Sequence, residues 1–467
     1  MLMLRFLVQS KFMIMKRKKP INFDKGRRAF ITKAAIVGTG LAAGIPEVTF
    51  ADNGKPAILG GTKAHPSGFP GWPVYDQTEE KALTAVLKSG RWGRLGSKVM
   101  PQFESEFSKL LGAKHSLGVS SGTSALYTIM GALDVGPGDE VIMPVYTFIA
   151  TYNVAVLNYA LPIFVDTDIE SFQIDSTKVE SAITKQTKLL MPVHIGGSPA
   201  NIDHFVQIAN KHKLPLIEDA CQAHLAEWKG RKVGNYGLAG AFSFQSSKNL
   251  NCAEGGAIVT NDENFVKTCY GFHNQGQGGS SAPYGTGSGT RSTNLRLTEF
   301  QGSLLLSQMT RLEQQASLRD QNASYLNKIL NDIGGVVPAK LYEGTTRSAY
   351  HLYMFRYLKD QFGGLSREKF MEALQAEGVP CSAGYGQMNK SEYVTSLAKN
   401  PHYLKIYGEK TMKDWLDRSE CPQNDKLTSE QAVWFTQTML LGSRDDMDKI
   451  GQAIRKIKKH AKAIAKL

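Results

Sequence analysis

The fold is decided by residues 216–256, which read LIEDACQAHLAEWKGRKVGNYGLAGAFSFQSSKNLNCAEGG. The stretch opens within an apolar run, 214–217, that ends on the acidic pair Glu218 and Asp219. This pattern is typical of a buried parallel strand. Carboxylates at the C-terminal end of such a strand lie where α/β folds place their ligand sites. The stretch therefore predicts an α/β fold with an acidic group at its ligand-binding edge.

The end of the same stretch supplies an amine. Residues 242–244 read Phe-Ser-Phe, Lys248 follows, and residues 253–256 read Ala-Glu-Gly-Gly. A lone lysine between a strand and a glycine pair predicts an amine in a loop, beside backbone that must pass close by. Asp219 and Lys248 are the two groups that a pyridoxal phosphate site needs. The acid keeps the pyridine nitrogen protonated, and the lysine carries the cofactor as a Schiff base.

These residues resemble the sugar aminotransferases of the DegT/DnrJ/EryC1/StrS family. That family has an acidic strand end, a Gln or His three residues after the Asp, the run FSF, a lysine, and GEGG or AEGG. The matching positions here are Asp219, Gln222, 242–244, Lys248 and 253–256, and the resemblance continues over most of residues 56–440. It implies a pyridoxal-phosphate-dependent transferase of fold type I, with a mostly parallel central sheet, helices on both faces and a smaller α+β C-terminal domain.

Length and charge bound the organisation of the chain. Its 467 residues exceed what one hydrophobic core usually holds, so two domains are expected, 52–325 for the cofactor and 326–467 as the small domain. The net charge is +13, of which residues 1–51 carry +8 and residues 455–467 carry +6, which leaves −1 on the body. A near-neutral body argues against a nucleic-acid-binding surface. The five cysteines form no CxxC pair, so neither a zinc site nor a disulfide framework is indicated.

The first 51 residues have the character of a targeting segment. Residues 26–33, GRRAFITK, resemble the twin-arginine export motif. Residues 34–46 form a short apolar stretch, shorter than a standard membrane span, and 49–51 offer small residues for cleavage. We therefore expect export to the periplasm after cleavage near Ala51, with a disordered basic tail and a cytoplasmic protein as the alternative.

A phosphate site is predicted at residues 120–126, SSGTSAL. A small, glycine-containing turn that opens a helix leaves backbone N–H groups and the positive end of the helix dipole free for an anion. The family's phosphate-binding motif has this form, and by resemblance the phosphate contacts are Gly122, Thr123, Ser124 and Ser243.

Apolar runs at 140–144, 162–165, 188–194 and 214–219 alternate with helical stretches such as 148–157 and 201–212. Such alternation predicts a doubly wound, largely parallel sheet. The family places an aromatic ring on the cofactor's pyridine at Phe148, whereas the residue pattern alone fits a core phenylalanine equally well. His194 is interpreted as structural, held by a backbone partner.

The second half of the chain implies a dimer. Residues 271–289 are glycine-rich and predict a loop near the site or a subunit interface. Residues 292–301 start a helix that is expected to run through residue 312. In the family an asparagine at this point reaches the partner's cofactor phosphate, and Asn294 is the matching position. The apolar face of residues 447–464 predicts a terminal helix docked on the small domain, with a membrane-surface helix as the alternative.

The substrate region departs from the commoner family pattern. Where many members have a tyrosine followed by Pro-Leu-His, residues 381–389 read CSAGYGQMN. This variant looks closer to members that aminate free ketocyclitols such as scyllo-inosose. Candidate substrate contacts are Trp92, Tyr146, His351 and Tyr385.

The sequence thus predicts an aminotransferase that moves an amino group from glutamate or glutamine to a keto sugar or ketocyclitol through Lys248. Asp219, Gln222 and Phe148 hold the cofactor ring, and no metal is required. Two alternatives stay open: a dehydratase-like reaction on the same fold, disfavoured by the presence of Lys248, and a non-catalytic cofactor-binding or sensory protein.

Overall fold

The apolar runs of the first half pair into one sheet in the computed structural model, which describes residues 54–96, 98–277 and 291–467. These residues belong to a single unit that spans 52–467. The predicted export segment, 1–51, and most of the glycine-rich stretch 271–289 lie outside the described residues. The described strands are β1 (His115–Val119), β2 (Glu140–Pro144), β3 (Leu161–Val165), β4 (Thr187–Leu190), β5 (Ile217–Asp219), β6 (Glu227–Trp228), β7 (Arg231–Lys232), β8 (Ala239–Ser243), β9 (Gly256–Thr260), β10 (Val336–Pro338), β11 (Thr345–Arg347), β12 (Leu352–Tyr357) and β13 (Ala432–Thr436).

The central sheet has the order β3-β2-β4-β5-β8-β9-β1. Strands β3, β2 and β4 pair in parallel, isolated parallel bridges join the β4 edge to β5, and β5 pairs in parallel with β8. Strand β9 runs antiparallel to both of its neighbours. The prediction of a mostly parallel sheet is therefore confirmed.

Helices cover both faces of this sheet. The α-helices are α1 (Gln77–Ser89), α2 (Val99–Leu111), α3 (Gly122–Ala132), α4 (Ala150–Leu157), α5 (Val179–Ala182), α6 (Ile202–His212), α7 (Glu263–His273), α8 (Glu299–Ile333), α9 (Arg367–Ala376), α10 (Glu392–Thr395), α11 (Pro401–Tyr407), α12 (Glu409–Arg418), α13 (Pro422–Lys426), α14 (Arg444–Lys459) and α15 (Ala461–Ile464). Because side chains alternate along a strand, Ala241 packs in the core with α3, α4 and α6, while its neighbour Phe242 packs in the core with α2 and α8.

Helix α8 is longer than the sequence suggested. Thr298 caps it, with a reciprocal bond from Gln301, and the helix continues for 35 residues to Gly334. The expected end at residue 312 was too early because buried apolar positions continue through Leu330, with no Pro in the way. The first half of α8 packs on the central sheet, whereas residues 323–333 join a second core. The expected domain boundary at 325/326 falls inside this helix, and the two-domain division stays a prediction.

The second core lies around the antiparallel sheet β10-β12-β13. Helix α14 buries Met447, Ile450, Ile454 and Ile457 in it, so the predicted docking of the terminal helix is confirmed. Among the described helices, none combines the length and the apolar character needed to cross a membrane.

The end of β5 is held by a buried carboxylate. Glu218 accepts hydrogen bonds from the backbone N–H groups of Gly234 (2.7 Å), Tyr236 (2.6 Å) and Gly237 (3.0 Å), and from His194 Nε2 (3.1 Å). His194 Nδ1 in turn accepts from the N–H of Ala200 (3.1 Å), so the predicted backbone partner is confirmed. Burial alone would raise the pKa of Glu218, but the bonds from His194 and the backbone outweigh burial and lower it.

Replacing this carboxylate should destabilise the whole unit. We expect Glu218→Ala to lower the free energy of unfolding by about 3–5 kcal/mol, because it strands a buried histidine and three backbone donors. Since the pKa of Glu218 is lowered on folding, its contribution is present above its ordinary pKa of 4.5 and is lost as the pH falls through the folded value. Denaturant unfolding at several pH values measures both effects. Glu263→Ala, at an exposed carboxylate paired with Lys267, is the matched control and should leave the free energy of unfolding nearly unchanged. An equal loss in both variants would contradict this account.

Candidate active site

A cavity of about 760 Å³ lies at the C-terminal ends of β5 and β8. Asp219 ends β5 and Ser243 ends β8, so both reach this edge because the two strands run parallel. The cavity brings together nine of the thirteen residues predicted from sequence: Gly122, Thr123, Phe148, Asp219, Gln222, Ser243, Lys248, His351 and Tyr385.

The Asp219 carboxylate is fixed by its neighbours. Its Oδ2 accepts from Thr151 Oγ1 (2.9 Å), and its Oδ1 accepts from the N–H of Cys221 (3.2 Å). Thr151 is itself hydrogen-bonded to Thr147 (2.9 Å), which follows β2. Sequence reasoning missed both threonines, since their hydroxyls face the acid only once β2 and β5 share a sheet edge. A carboxylate oriented in this way can hold a protonated ring nitrogen.

Lys248 presents a buried amine to the same cavity. Burial lowers its pKa, and the nearby charge of Asp219 opposes that shift only in part. Its Nζ lies 3.4 Å from Nε2 of His351. Asn249 Nδ2 donates to the carbonyl of Ala349 (2.7 Å), so Asn249 Oδ1 is left to accept from His351 Nδ1 (3.3 Å). His351 therefore carries its proton on Nδ1 and offers Nε2 to Lys248 as an acceptor.

The side chain of His351 is neutral at physiological pH. Burial is the largest cause that lowers its pKa, followed by the positive charges of Lys248 and other cations. A neutral imidazole beside an amine of lowered pKa leaves Lys248 able to act as a nucleophile and to carry a proton.

The N-terminus of α3 forms the other end of the cavity. Ser121 caps the helix by accepting from the N–H of Ser124, and among the described residues no acceptor takes the N–H groups of Gly122 and Thr123. A Cβ on Gly122 would lie 2.6 Å from Ser243 Cβ, and one on Gly256 would lie 2.3 Å from the carbonyl oxygen of Ser121. The predicted close passage of the glycine pair is thus confirmed, and free donors at a helix start suit a phosphate.

An aromatic ring and a fixed amide stand on the cavity walls. Phe148 lines the cavity and is 55% exposed, so its ring is available for a planar ligand. Gln222 accepts from the N–H of Gly196 (2.8 Å) and donates to Tyr385 Oη (2.8 Å), which fixes its side chain. Tyr385 packs edge-on against Trp434, with ring centroids 4.9 Å apart.

Four predicted residues do not line the cavity. Ser124 turns its hydroxyl to Ser120 and Ser121, each at 2.8 Å. Tyr146 is buried and packs edge-on between Phe172 and Tyr385, because its ring completes a small apolar cluster under the cavity wall. Asn294 and Trp92 are exposed on the surface of this subunit. Their predicted roles in cofactor or substrate binding stay predictions.

Other lining residues carried no sequence signal. Trp72, Trp434 and Gln437 line the cavity although they lie more than 150 residues from Lys248. Within the described ranges, no cluster of His, Cys, Asp or Glu could hold a metal ion.

These residues fit pyridoxal phosphate. The glycine-lined helix start suits the phosphate, and the exposed Phe148 ring suits the face of the pyridine. Asp219 suits the protonated ring nitrogen, and the Lys248 amine suits the aldehyde. When bound, the cofactor supplies an electron sink for the carbon that loses its proton.

Comparisons with known proteins agree with this geometry. Residues 73–432 match the DegT/DnrJ/EryC1/StrS aminotransferase family. The chain is 34% identical over 418 residues to an L-glutamine:2-deoxy-scyllo-inosose aminotransferase of Streptoalloteichus tenebrarius, covering 86% of this chain and 97% of the relative. It is 32% identical over 391 residues to a 3-amino-5-hydroxybenzoate synthase of Amycolatopsis mediterranei, covering 83% and 96%.

Solved structures give the same result. The crystal structure of 3-amino-5-hydroxybenzoic acid (AHBA) synthase aligns with a TM-score of 0.73 at 31% identity, over 85% of this chain and 99% of that one. The structure of an aminotransferase from Psychrobacter cryohalolentis aligns with a TM-score of 0.71 at 29% identity, over 85% and 99%. This chain therefore belongs to the DegT/DnrJ/EryC1/StrS family and is a pyridoxal-phosphate-dependent aminotransferase of fold type I.

Proposed function

We propose that this enzyme transfers an amino group from glutamine or glutamate to a keto sugar or ketocyclitol, with Lys248 as its catalytic residue. The observation that carries the assignment is the meeting of the buried Lys248 amine with Asp219 and the free N-terminus of α3 in one cavity. The named activities of the relatives, which include glutamine:inosose aminotransferases, support the substrate class.

Each group has a defined task in this proposal. Lys248 Nζ would hold the cofactor through its aldehyde, and the same amine, once freed by the amino donor, would accept the proton that leaves the donor's Cα. Asp219 holds a proton on the ring nitrogen, and its bond from Thr151 keeps the carboxylate in place. Gln222 and Phe148 flank the ring, and Thr123, Ser124 and Ser243 are assigned to the phosphate. His351 Nε2 accepts a hydrogen bond from Lys248 Nζ and so orients the amine for proton transfer.

The aromatic end of the cavity supports a cyclic acceptor. Tyr385, Trp434 and Leu352 line the cavity together, and they offer apolar faces with a single phenolic hydroxyl among them. Such faces pack well against the C–H surface of a six-membered ring. The departure from the commoner family pattern at residues 381–389 lies in the same wall.

A dimer with shared sites is part of the proposal. Asn294 is exposed and bridges to Asn274 through the backbone, and its side chain is held only by the 3.4 Å hydrogen bond that Oδ1 accepts from the N–H of Arg296 among the described residues, so Nδ2 is available to another subunit. An asparagine that completes the phosphate site of the partner accounts for its distance from the cavity in its own chain.

The location is also proposed. Arg27 and Arg28 fit a twin-arginine signal, which would deliver a folded, cofactor-loaded enzyme outside the cytoplasm. Substrates carried on a nucleotide are scarce there, so a free ketocyclitol or an unactivated keto sugar is the better candidate.

Removing the amine should abolish transfer. We expect Lys248→Ala to lose at least about 10²–10⁴-fold in rate, because both the cofactor anchor and the proton carrier are lost. The assay is transfer from glutamine to a panel of inososes and keto sugars. Lys267→Ala, at a surface lysine paired with Glu263, is the matched control and should keep its rate. Near-normal turnover by Lys248→Ala would refute the assignment, whereas cofactor binding without transfer in the unaltered enzyme would favour a sensory protein.

Complementation tests the shared site. Asn294→Ala should lose cofactor on dialysis, and so should be poorly active alone. Mixed with Lys248→Ala and reassembled, it should recover about a quarter of the unaltered activity, since half of randomly paired dimers contain one intact site of two. No recovery after verified subunit exchange would mean that Asn294 serves its own subunit.

The export signal can be tested apart from the chemistry. Replacing Arg27 and Arg28 together by Lys should leave a full-length precursor in the cytoplasm, while the unaltered chain is processed and fractionates with the periplasm. Finding the unaltered protein cytoplasmic and full length would remove the export proposal and return nucleotide sugars to the candidate substrates.

A further inference from the structure

A buried cation without a counter-charge lies beside the cavity. Arg319 on α8 has none of its surface exposed, and its Nε and Nη2 both donate to Gln437 Oε1, at 2.9 and 2.5 Å. Its guanidinium lies over the Trp72 ring, 5.4 Å from the centroid. Within the described residues no carboxylate pairs with it, and Nη1 has no hydrogen-bond partner. Burial lowers the pKa of Arg319 to about 9, which still leaves it charged at neutral pH.

An unpaired buried cation is costly to a fold. Its cost is compensated if a ligand brings the missing negative charge. Arg319 does not itself line the cavity, but Trp72 and Gln437, between which it lies, both do. The positive charge of Arg319 therefore acts on the cavity through Gln437 and Trp72, which it contacts.

Gln437 presents a second unused donor. An arginine can only donate, so the oxygen of Gln437 must face Arg319 and its Nε2 must point the other way. This Nε2 is buried and has no acceptor among the described residues. The backbone N–H of Gln437 donates to the carbonyl of His351 (3.1 Å), and His351 Nε2 lies 3.4 Å from Lys248 Nζ. The free amide of Gln437 is thus connected to the Lys248 amine through a single intervening residue, His351.

The other charged and anion-binding groups of the cavity already have assigned roles, so none of them is available for a further anion. Among the described residues that line the cavity, Lys248 is the only lysine or arginine, and the proposed function commits it to the cofactor. The phosphate is assigned to α3 at the opposite end. An amino-acid donor must nevertheless bring its α-carboxylate close to the position of the Lys248 amine.

We infer that Gln437 binds the α-carboxylate of the amino donor through Nε2. Arg319 is the positioning residue, which polarises the amide by donating to its oxygen. This assignment rests on the proposed function for the identity of the donor. A cation in contact with the amide oxygen makes the N–H groups on the other side stronger donors to an anion. Arg319 and Gln437 together form the carboxylate site, while the ketone acceptor, which has no carboxylate, does not use it.

The test compares two non-reacting analogues of glutamine on the cofactor-loaded enzyme. Glutaramate lacks the amino group and keeps the carboxylate, whereas glutaramide carries a neutral amide in its place. Isothermal titration calorimetry measures the dissociation constant of each. We expect the unaltered enzyme to bind glutaramate about 10- to 100-fold more tightly than glutaramide, as a charged hydrogen bond predicts.

Gln437→Glu is the decisive variant. Its new carboxylate pairs with Arg319 inside the protein, so the variant should melt at least as high as the unaltered enzyme while the preference for glutaramate disappears. Gln437→Leu should also lose the preference, with glutaramide binding retained in both variants. In steady-state assays the KM for glutamine should rise by a similar factor in Gln437→Glu, with the KM for the ketone unchanged.

Two results would overturn the inference: an unaltered preference for glutaramate in Gln437→Glu, or no preference in the unaltered enzyme. If the preference follows Gln437 but no amino group is transferred to any ketone, the proposed function fails and the carboxylate site stands. If transfer proceeds and the preference for glutaramate is the same in the Gln437 variants as in the unaltered enzyme, the carboxylate site fails and the proposed function stands.

Discussion

Two adjacent carboxylates at the end of β5 set the geometry on which the rest of the structure depends. Consecutive side chains on a strand point to opposite faces, so Glu218 and Asp219 cannot face the same surroundings. Glu218 turns into the protein and gathers the N–H groups of residues 234–237 together with His194. Asp219 turns into the cavity, where it accepts hydrogen bonds from Thr151 and from the N–H of Cys221. The hydrogen bonds of Glu218 fix the end of β5, and this fixes the position of Asp219 in the cavity.

Several charged and hydrogen-bonding groups of the cavity lack a full set of partners within the protein. Lys248 is buried and has a lowered pKa, and its nearest polar side chain is a neutral histidine rather than an acid. The N–H groups of Gly122 and Thr123 have no protein acceptor among the described residues. Such groups are costly in a folded protein unless a ligand satisfies them. The free energy lost to folding at these positions is regained when the cofactor binds.

The sequence was most informative where the functional residues lie close together along the chain. Asp219, Gln222, Ser243 and Lys248 fall within thirty residues, and the turn at Gly122 has a form that physical chemistry can interpret directly. The largely parallel sheet followed from the alternation of apolar runs, and the helices on both of its faces were implied by the family resemblance. These features depend on local pattern, and local pattern is what a single sequence records.

The remainder depended on contacts between distant segments. Thr151 meets Asp219 across 68 residues, and Arg319 meets Gln437 across 118. Nothing about a threonine in a helical stretch, or a glutamine after a strand, signals such a partner. The length of α8 was underestimated for a related reason, since its continuation beyond residue 312 is stabilised by a second core whose other members come mainly from residues 336–379 and 433–464. Trp92 and Asn294 were predicted by resemblance, and a single subunit leaves both outside its cavity.

The two ends of the cavity come from different parts of the chain, and this division bears on how specificity can change. Residues before 257 supply the phosphate end, the ring acid and the amine, while His351, Tyr385, Trp434 and Gln437 come from the C-terminal part. Strands β12 and β13 pair along five positions, from Leu352 with Thr436 to Arg356 with Ala432, so the two strands form one continuous part of the C-terminal wall. A substitution at Trp434 would alter this wall directly, whereas one at Tyr385 or His351 would also disturb Gln222 or Lys248, to which they are hydrogen-bonded. The half-buried aromatic contact between Tyr385 and Trp434, with the backbone bridge between Ser382 and Trp434, joins residues 381–389 to β13. The variant sequence at 381–389 and β13 therefore form one contact surface, and under the proposed function this surface, rather than the lysine motif, is the part of the structure assigned to the acceptor.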